Sequence, residues 1–252
     1  MRLAVLADIH GNLAALEAVL ADLEAQPTVD HIWVLGDLAL FGPQPGACVD
    51  AVRKLQEERE AKVIQGNTDR YIVTGAAPII SAFEADDWET QRTALALRDA
   101  SINWARERLD GEQATYLYKL GHSLSLEAEG FGWISAFHAI PGDDEGIVTP
   151  DTDEFDLRDA LLDAESRLLF GGHTHLAMDR DLGDMRMVNP GSVGLPFDGD
   201  TRAAYAILTQ ADDAPLHIDL RRVAYDMQPT LDALAEHPKG EAVRQQLRDA
   251  SA

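Results

Sequence analysis

One cysteine in 252 residues, Cys48, excludes an internal disulfide and any metal site built from several thiolates. Such scarcity suits a reducing compartment, and Cys48 itself reads as a small buried apolar residue. Basic residues are also few: 21 Lys and Arg stand against 44 Asp and Glu, a formal net charge of -23. That surface repels nucleic-acid backbone and anionic lipid, so broad polyanion binding is not expected. A small phosphorylated substrate stays compatible if the site supplies its own positive charge, which metal ions do. No apolar run is long enough to span a bilayer. The opening has one Arg followed by five apolar residues and then Asp8, without the cleavage pattern of a secretory leader. A cytoplasmic protein with no membrane partner is the expectation. Neither repeats nor long linkers are visible, so residues 1–252 read as a single domain with ample core.

What is present is an alternation. Met1 to Ala7 is a branched apolar run that reads as a buried strand, and Gly11-Asn12 stops it, Asn12 being placed to cap a helix from Leu13. Leu13, Leu16, Val19, Leu20 and Leu23 share one helical face, ending before Pro27. His31 to Leu35 is a second strand, a helix is expected from about Ala47 to Glu60, and Lys62 to Ile64 is a third strand. This order predicts an α/β layered core.

Residues 70–121 break the pattern with a helical insert. Trp88, Leu95, Ile102 and Leu109 recur every seven residues, predicting one helix over 87–109 and a shorter one after Asp110-Gly111. Such an insert could cap the strand ends and bring Tyr71, Phe83 or Trp88 to a substrate; packing is the simpler role for Trp88 and Trp104. Strands resume at Ser123 to Leu126 and Gly132 to Phe137, followed by a helix around 155–164 and a strand at Arg167 to Phe170. A hairpin turns at Gly183-Asp184, two more strands cover 203–209 and 216–224, and a helical tail follows Pro229.

Polar ligand types stand at or just after the ends of these runs. Asp8, His10, Asp37, Asn67, His138, His173 and His175 offer three oxygen and four nitrogen donors, enough for two ions sharing one carboxylate. Asp-x-His alone is a weak signal, since such residues commonly form turns or caps. Five such elements in one chain are not chance. In open α/β sheets ligands gather beyond the carboxyl ends of strands. Imidazole suits Mn, Fe, Zn, Ni or Co better than Mg or Ca. Gly36, Gly66 and Gly172 beside the ligands let backbone turn where a side chain would crowd an ion.

Asp8-x-His10, Gly36-Asp37, Gly66-Asn67-x-Asp69, His138 and Gly172-His173-x-His175 resemble the ordered motifs of calcineurin-like metallophosphoesterases. The resemblance runs from Met1 to about Tyr205 and is closest to the small prokaryotic phosphodiesterase-like branch, which shares the Asn189-Pro190-Gly191-Ser192 loop. It implies a four-layer αββα sandwich of two mixed sheets flanked by helices. By motif position it implies one metal held by Asp8, His10, Asp37 and His175. A second would be held by Asp37, Asn67, His138 and His173. The implied cofactors are two divalent transition-metal ions: Mn2+, Fe2+ or Fe3+, Zn2+, Ni2+ or Co2+. A hydroxide bridging them would attack phosphorus in line, with Asp37, Asn67, Thr68 and His138 at the reacting group. Two Asp charges and one hydroxide against two divalent ions leave an inner shell near about +1, attractive to phosphate.

Two positions depart from the family pattern. Thr68 stands where many members have a transition-state His, and Phe197 stands near a position that often carries Arg, leaving Arg202 as a substitute. Ser192 lacks the spacing of a nucleophile elbow and reads as a turn residue. His31, His122, His217 and His237 have no motif support and read as surface or packing residues. The leading expectation is a metal-dependent phosphoesterase preferring diesters of a small phosphoester substrate. A phosphomonoesterase or dinucleoside polyphosphate hydrolase comes second. A metal-binding regulatory protein with little turnover is the alternative of another class.

Overall fold

The computed structural model describes residues 1–78, 88–211 and 216–250. The first half alternates β1 (Arg2–Leu6), α1 (Leu13–Ala25), β2 (His31–Val34), α2 (Pro45–Arg59) and β3 (Lys62–Val63). Three helices follow: α3 (Asn67–Thr74), α4 (Trp88–Arg106) and α5 (Gly111–Lys119). Then come β4 (Ser123–Ala128), β5 (Gly132–Phe137), α6 (Glu154–Ala160), β6 (Leu168–Phe170), β7 (Met178–Asp181) and β8 (Arg186–Asn189). The chain closes with β9 (Ala203–Thr209), β10 (His217–Val223), α7 (Gln228–Ala233), a 3-10 turn and α8 (Gly240–Asp249).

The strands form two five-stranded mixed sheets, ordered β10-β9-β1-β2-β3 and β4-β5-β6-β8-β7. In the first, β1, β2 and β3 are parallel; in the second, β5, β6 and β8 are parallel, with hairpins at both edges. Side chains alternate faces along a strand, and here both faces are apolar. Leu3 and Val5 of β1 and Trp33 of β2 point between the sheets, where they meet Ile134, Leu168, Phe170 and Val188. Their neighbours Ala4, Leu6, Ile32 and Val34 face outward onto Leu16, Val19, Val49 and Val52 of α1 and α2. On the far side Leu169 and Met187 pack against Leu157 and Leu161 at α6. Helix, sheet, sheet, helix: this is the expected four-layer architecture.

Local boundaries differ where turn chemistry intervened. α2 begins two residues before Ala47 because Pro45 in the first turn needs no N–H partner there and has its φ already set. Asn67 opens α3 rather than simply ending a strand, with Asp69 accepting the Gly66 N–H (3.2 Å) across that first turn. α4 stops at Arg106, three residues short of Leu109. Among its described side chains, those in the core lie in its last turns: Ile102 and Ala105 join the outer core with Leu117, while Leu97 is 40% exposed. Trp104 does pack against that core. The side chain of Trp88 and all of Phe83 lie outside the described residues. Docking onto α2 comes from Gln113 Nε2, which donates to the Gly46 carbonyl (3.2 Å) and Asp50 (2.9 Å). No described helix is long and apolar enough to cross a membrane.

Candidate metal centre

Three of the loops that enter the centre deliver their donors through backbone reversals, while Asn67 and His138 need none. Asp8, His10, Asp37, His173 and His175 all adopt positive φ, between 47° and 66°. Asp and His tolerate that region better than most residues, but five together mark a site whose side-chain aim outweighs local backbone preference. Two glycines explain how the loops approach so closely. A Cβ on Gly66 would fall 2.1 Å from Asp37 Oδ1, and one on Gly172 would fall 2.7 Å from Asp8 Oδ2.

The carboxylates are wholly buried and held by backbone donors. Thr68 N–H donates to Asp37 Oδ1 (2.9 Å), leaving Oδ2 at 3.5 Å from both His10 Nε2 and His138 Nε2. Asp37 Oδ2 therefore lies equally near the two histidines, a position compatible with a shared ligand. Asp8 accepts the His173 N–H and lies 3.6 Å from His175 Nε2. Asp8, His10, Asp37 and His175 bring one ligand atom each within 4.8 Å of one another.

Tautomers follow from the outer ring nitrogens. His10 Nδ1 faces the Leu40 carbonyl (2.9 Å), His175 Nδ1 that of Leu195 (2.6 Å) and His138 Nδ1 that of Leu35 (2.7 Å). A carbonyl oxygen only accepts, so each Nδ1 carries the proton, the usual way a second partner orients a ligating imidazole. Burial lowers the pKa of His10 and, further, of His175, keeping both neutral with bare Nε2 lone pairs. Those two Nε2 atoms are 2.9 Å apart. In these tautomers neither donates to the other, and both lone pairs are free to take a cation.

The other donors satisfy one another differently. Asn67 Oδ1 lies 2.9 Å from His138 Nε2 and 3.2 Å from His173 Nδ1, while Asn67 Nδ2 donates to Tyr71 Oη (3.0 Å). Burial opposes a charge on His138, but Asp37 and Asp8 overcome it and raise its pKa to about 10, so Nε2 carries a second proton. Burial likewise opposes the Asp37 charge, and His138 outweighs it, holding the carboxyl below its usual range. Asp8 goes the other way, raised by burial despite His138.

All seven expected donors converge on this cluster, and Thr68 lies buried beside it with an unpartnered Oγ1. Several supporting residues carried weaker signals. Asp69, inside the Gly-Asn motif, accepts N–H bonds from Asp37 (2.8 Å) and Leu38 (2.9 Å) and so shapes the Asp37 loop. Ser192 Oγ donates to the Asp8 carbonyl (2.7 Å), a structural turn role. Asn189 Nδ2 donates to the Gly172 carbonyl (2.7 Å), tying its loop to the two histidines. Arg202 is exposed and engaged by Asp200 (2.6 Å), which argues against the phosphate role. His31 and His217 are exposed, as expected. His122 lines a cleft of about 400 Å³ with His138, Gln65, Arg70 and Asp144, which no sequence signal foretold.

Residues 1–213 match the calcineurin-like phosphoesterase superfamily domain. The chain belongs to that superfamily. Members of the metallophosphoesterase family use divalent metals, and the buried Asp and His donors here are chemically suited to them. A metallophosphoesterase from Sphaerobacter thermophilus is 27% identical, with a TM-score of 0.73 over 99% of both chains. A hypothetical protein from Pyrococcus horikoshii shares the fold at a TM-score of 0.82, with 24% identity over 100% of this chain and 99% of its own. An uncharacterised protein of Methanocaldococcus jannaschii is 29% identical over 93% of this chain and 92% of its own length. A symmetrical bis(5'-nucleosyl)-tetraphosphatase of Chromohalobacter salexigens is 32% identical, but over only 38% of this chain and 40% of that enzyme.

Proposed function

We propose that this phosphoesterase hydrolyses phosphodiesters at a binuclear centre. Asp8, His10, Asp37 and His175 would hold one divalent ion, and Asp37, Asn67, His138 and His173 the other. The observation that carries the reading is the 2.9 Å approach of two bare Nε2 atoms, each fixed from behind by a backbone carbonyl. When bound, the ions polarise phosphoryl oxygens and lower the pKa of water.

The chain's own contributions follow from its geometry. Thr68 N–H and Asp69 fix the Asp37 loop, so the shared carboxylate is set before substrate arrives. Thr68 Oγ1 is free to give a neutral hydrogen bond to substrate, but a Thr hydroxyl does not surrender its proton at useful rates. Leaving groups that depart as stable anions are therefore favoured. Aryl diesters meet that condition.

The similarity to the tetraphosphatases favours a second reading, a dinucleoside polyphosphate hydrolase. A phosphoanhydride expels a stabilised phosphate and needs no acid from Thr68. Activity on bis(p-nitrophenyl) phosphate, p-nitrophenyl phosphate and a dinucleoside tetraphosphate, with added Mn2+, Ni2+ or Zn2+, separates the readings. Metal-stimulated turnover of the diester above the monoester is expected, and its absence for every substrate sinks the enzyme assignment. Metal bound without turnover would point instead to a regulatory protein.

A further inference from the structure

Arginines on this acidic chain are repeatedly paired with carboxylates: Arg70 with Asp144 and Glu145, Arg186 with Asp179, Arg221 with Asp22. Lys239 is different. Among the described residues no carboxylate pairs with it, and its Nζ lies over the Phe41 ring, 5.3 Å from the centroid. Phe41 in turn packs 5.4 Å from the His10 ring. These two legs put the ammonium within about 11 Å of the His10 ring. Phe41 holds this place at a φ of 79°, a backbone conformation that a bulky residue rarely adopts.

The lysine is held there by construction. Its N–H donates to His237 Nδ1 (3.1 Å), and a Cβ on the following Gly240 would fall 2.0 Å from the Leu234 carbonyl, so the turn has one path. The tail is fastened to the residue just beyond the Asp8-x-His10 motif: Thr230 Oγ1 donates to Asn12 Oδ1 (3.0 Å), and Asn12 Nδ2 reaches Tyr225 Oη (3.0 Å). Around Lys239 the neighbours are donors. Because His237 Nδ1 accepts, its Nε2 carries the proton; that Nε2 and Trp104 Nε1 are both buried without an acceptor. His237 is only 5% exposed and packs edge-on at 4.7 Å from Trp104, over which Arg108 stacks at 3.8 Å. Arg98 of α4 is near enough to oppose the lysine's charge. The cleft beside His138 has the opposite character, lined by Asp143 and Asp144, with Arg70 already engaged.

We propose that Lys239 is a substrate-binding residue, forming with Phe41 a subsite beside His10 that takes a second anionic group of the substrate, a phosphate beyond the one that reacts. An ammonium over an aromatic face with no carboxylate partner among the described residues, beside buried donors lacking acceptors, is chemically an anion site. The assignment rests on the phosphoesterase reading and narrows it to substrates carrying more than one phosphate.

The test compares a dinucleoside tetraphosphate with bis(p-nitrophenyl) phosphate in wild type, Lys239→Gln and Lys239→Arg. Lys239→Gln should lower kcat/KM for the polyphosphate at least about tenfold more than for the aryl diester, mainly through KM, and Lys239→Arg should recover most of it. Equal losses on the two substrates, or none, overturn the subsite. Calorimetric binding of inorganic tripolyphosphate to the full chain gives a readout independent of turnover. An affinity about tenfold weaker in Lys239→Gln but not Lys239→Arg is expected, and unchanged affinity overturns the proposal. Should wild type turn over nothing while this binding difference holds, the subsite stands and the phosphoesterase reading falls.

Discussion

The two sides of the cluster, His10 with His175 and His138 with His173, flank the same Asp37 carboxylate yet are built on opposite principles. On one side His10 and His175 are neutral, pinned from behind by carbonyls, and point two lone pairs at each other across 2.9 Å. On the other, His138 is protonated and shares the Asn67 oxygen with His173, so the donors satisfy one another through hydrogen bonds. Under the proposed binuclear reading, the first side offers two free lone pairs to a cation, whereas on the second a cation would have to displace hydrogen bonds and a proton. The difference teaches that a donor list shows which residues are capable of ligation, while their outer hydrogen bonds set what binding costs.

Removing the shared ligand should break both halves at once. Asp37→Ala is expected to cut metal-dependent hydrolysis by more than about 1,000-fold and to lower both occupancies, against two equivalents in reconstituted wild type. Elemental analysis beside kinetics checks this, and one saturating equivalent in active wild type would refute the shared site. Single-ligand variants sharpen the contrast. His175→Ala should remove the first ion alone, and Asn67→Ala should weaken the second alone, each costing roughly 100-fold in activity or affinity. Competition by a metallochromic chelator would report it; simultaneous loss of both ions in either variant would mean the halves are not separable.

Thr68 tests what the second half lacks. Introducing a general acid, Thr68→His, should speed alkyl diesters by about 100-fold at best and aryl diesters little, flattening the dependence of rate on leaving-group pKa. A wild-type series that is already flat would show that another acid serves, leaving Thr68 structural.

The smallest effect belongs to the tail beside the first half. Burial, with Lys239 and Arg108 facing the ring, lowers the His237 pKa to about 4. An unfolded histidine titrates near about 6.5, so between these values the unfolded chain binds more protons and stability rises with pH. The contribution is full above about 6.5 and is lost as pH falls toward about 4. His237→Gln should therefore lose less thermal stability than wild type over that interval, by a few degrees at most. Parallel melting curves for the two proteins from pH 7 to pH 4 would remove His237 as the cause.

Much of the layered fold was legible because its signals are local. The apolar run Met1 to Ala7 read as a strand buried on both faces and Arg167 to Phe170 as a strand; both form, as Arg2–Leu6 and Leu168–Phe170, and the sandwich covers them. The seven-residue stripe was read too generously: within α4 Ile102 is buried but Leu95 only partly covered, and Leu109, past the end of the helix, packs against the core from outside it. That Asp8, His10, Asp37, Asn67, His138, His173 and His175 would gather in one place was legible from strand ends. The roles of Asp69, Asn189 and His122 were not, since each depends on which loop folds against it.

Sequence by itself determined the order of strands and helices, the donor types at the strand ends and the glycines that make room beside them. Those follow from periodicity and from residue chemistry within a few positions. Tertiary structure decided what pairs with what. His10 meets His175 across 165 residues, His138 is fixed by the Leu35 carbonyl, and Lys239 reaches Phe41 only because the tail anchors on Asn12. The physical reason is that these contacts arise from sheet order and loop docking, where the free energy comes from burial shared across the whole core rather than from any local preference.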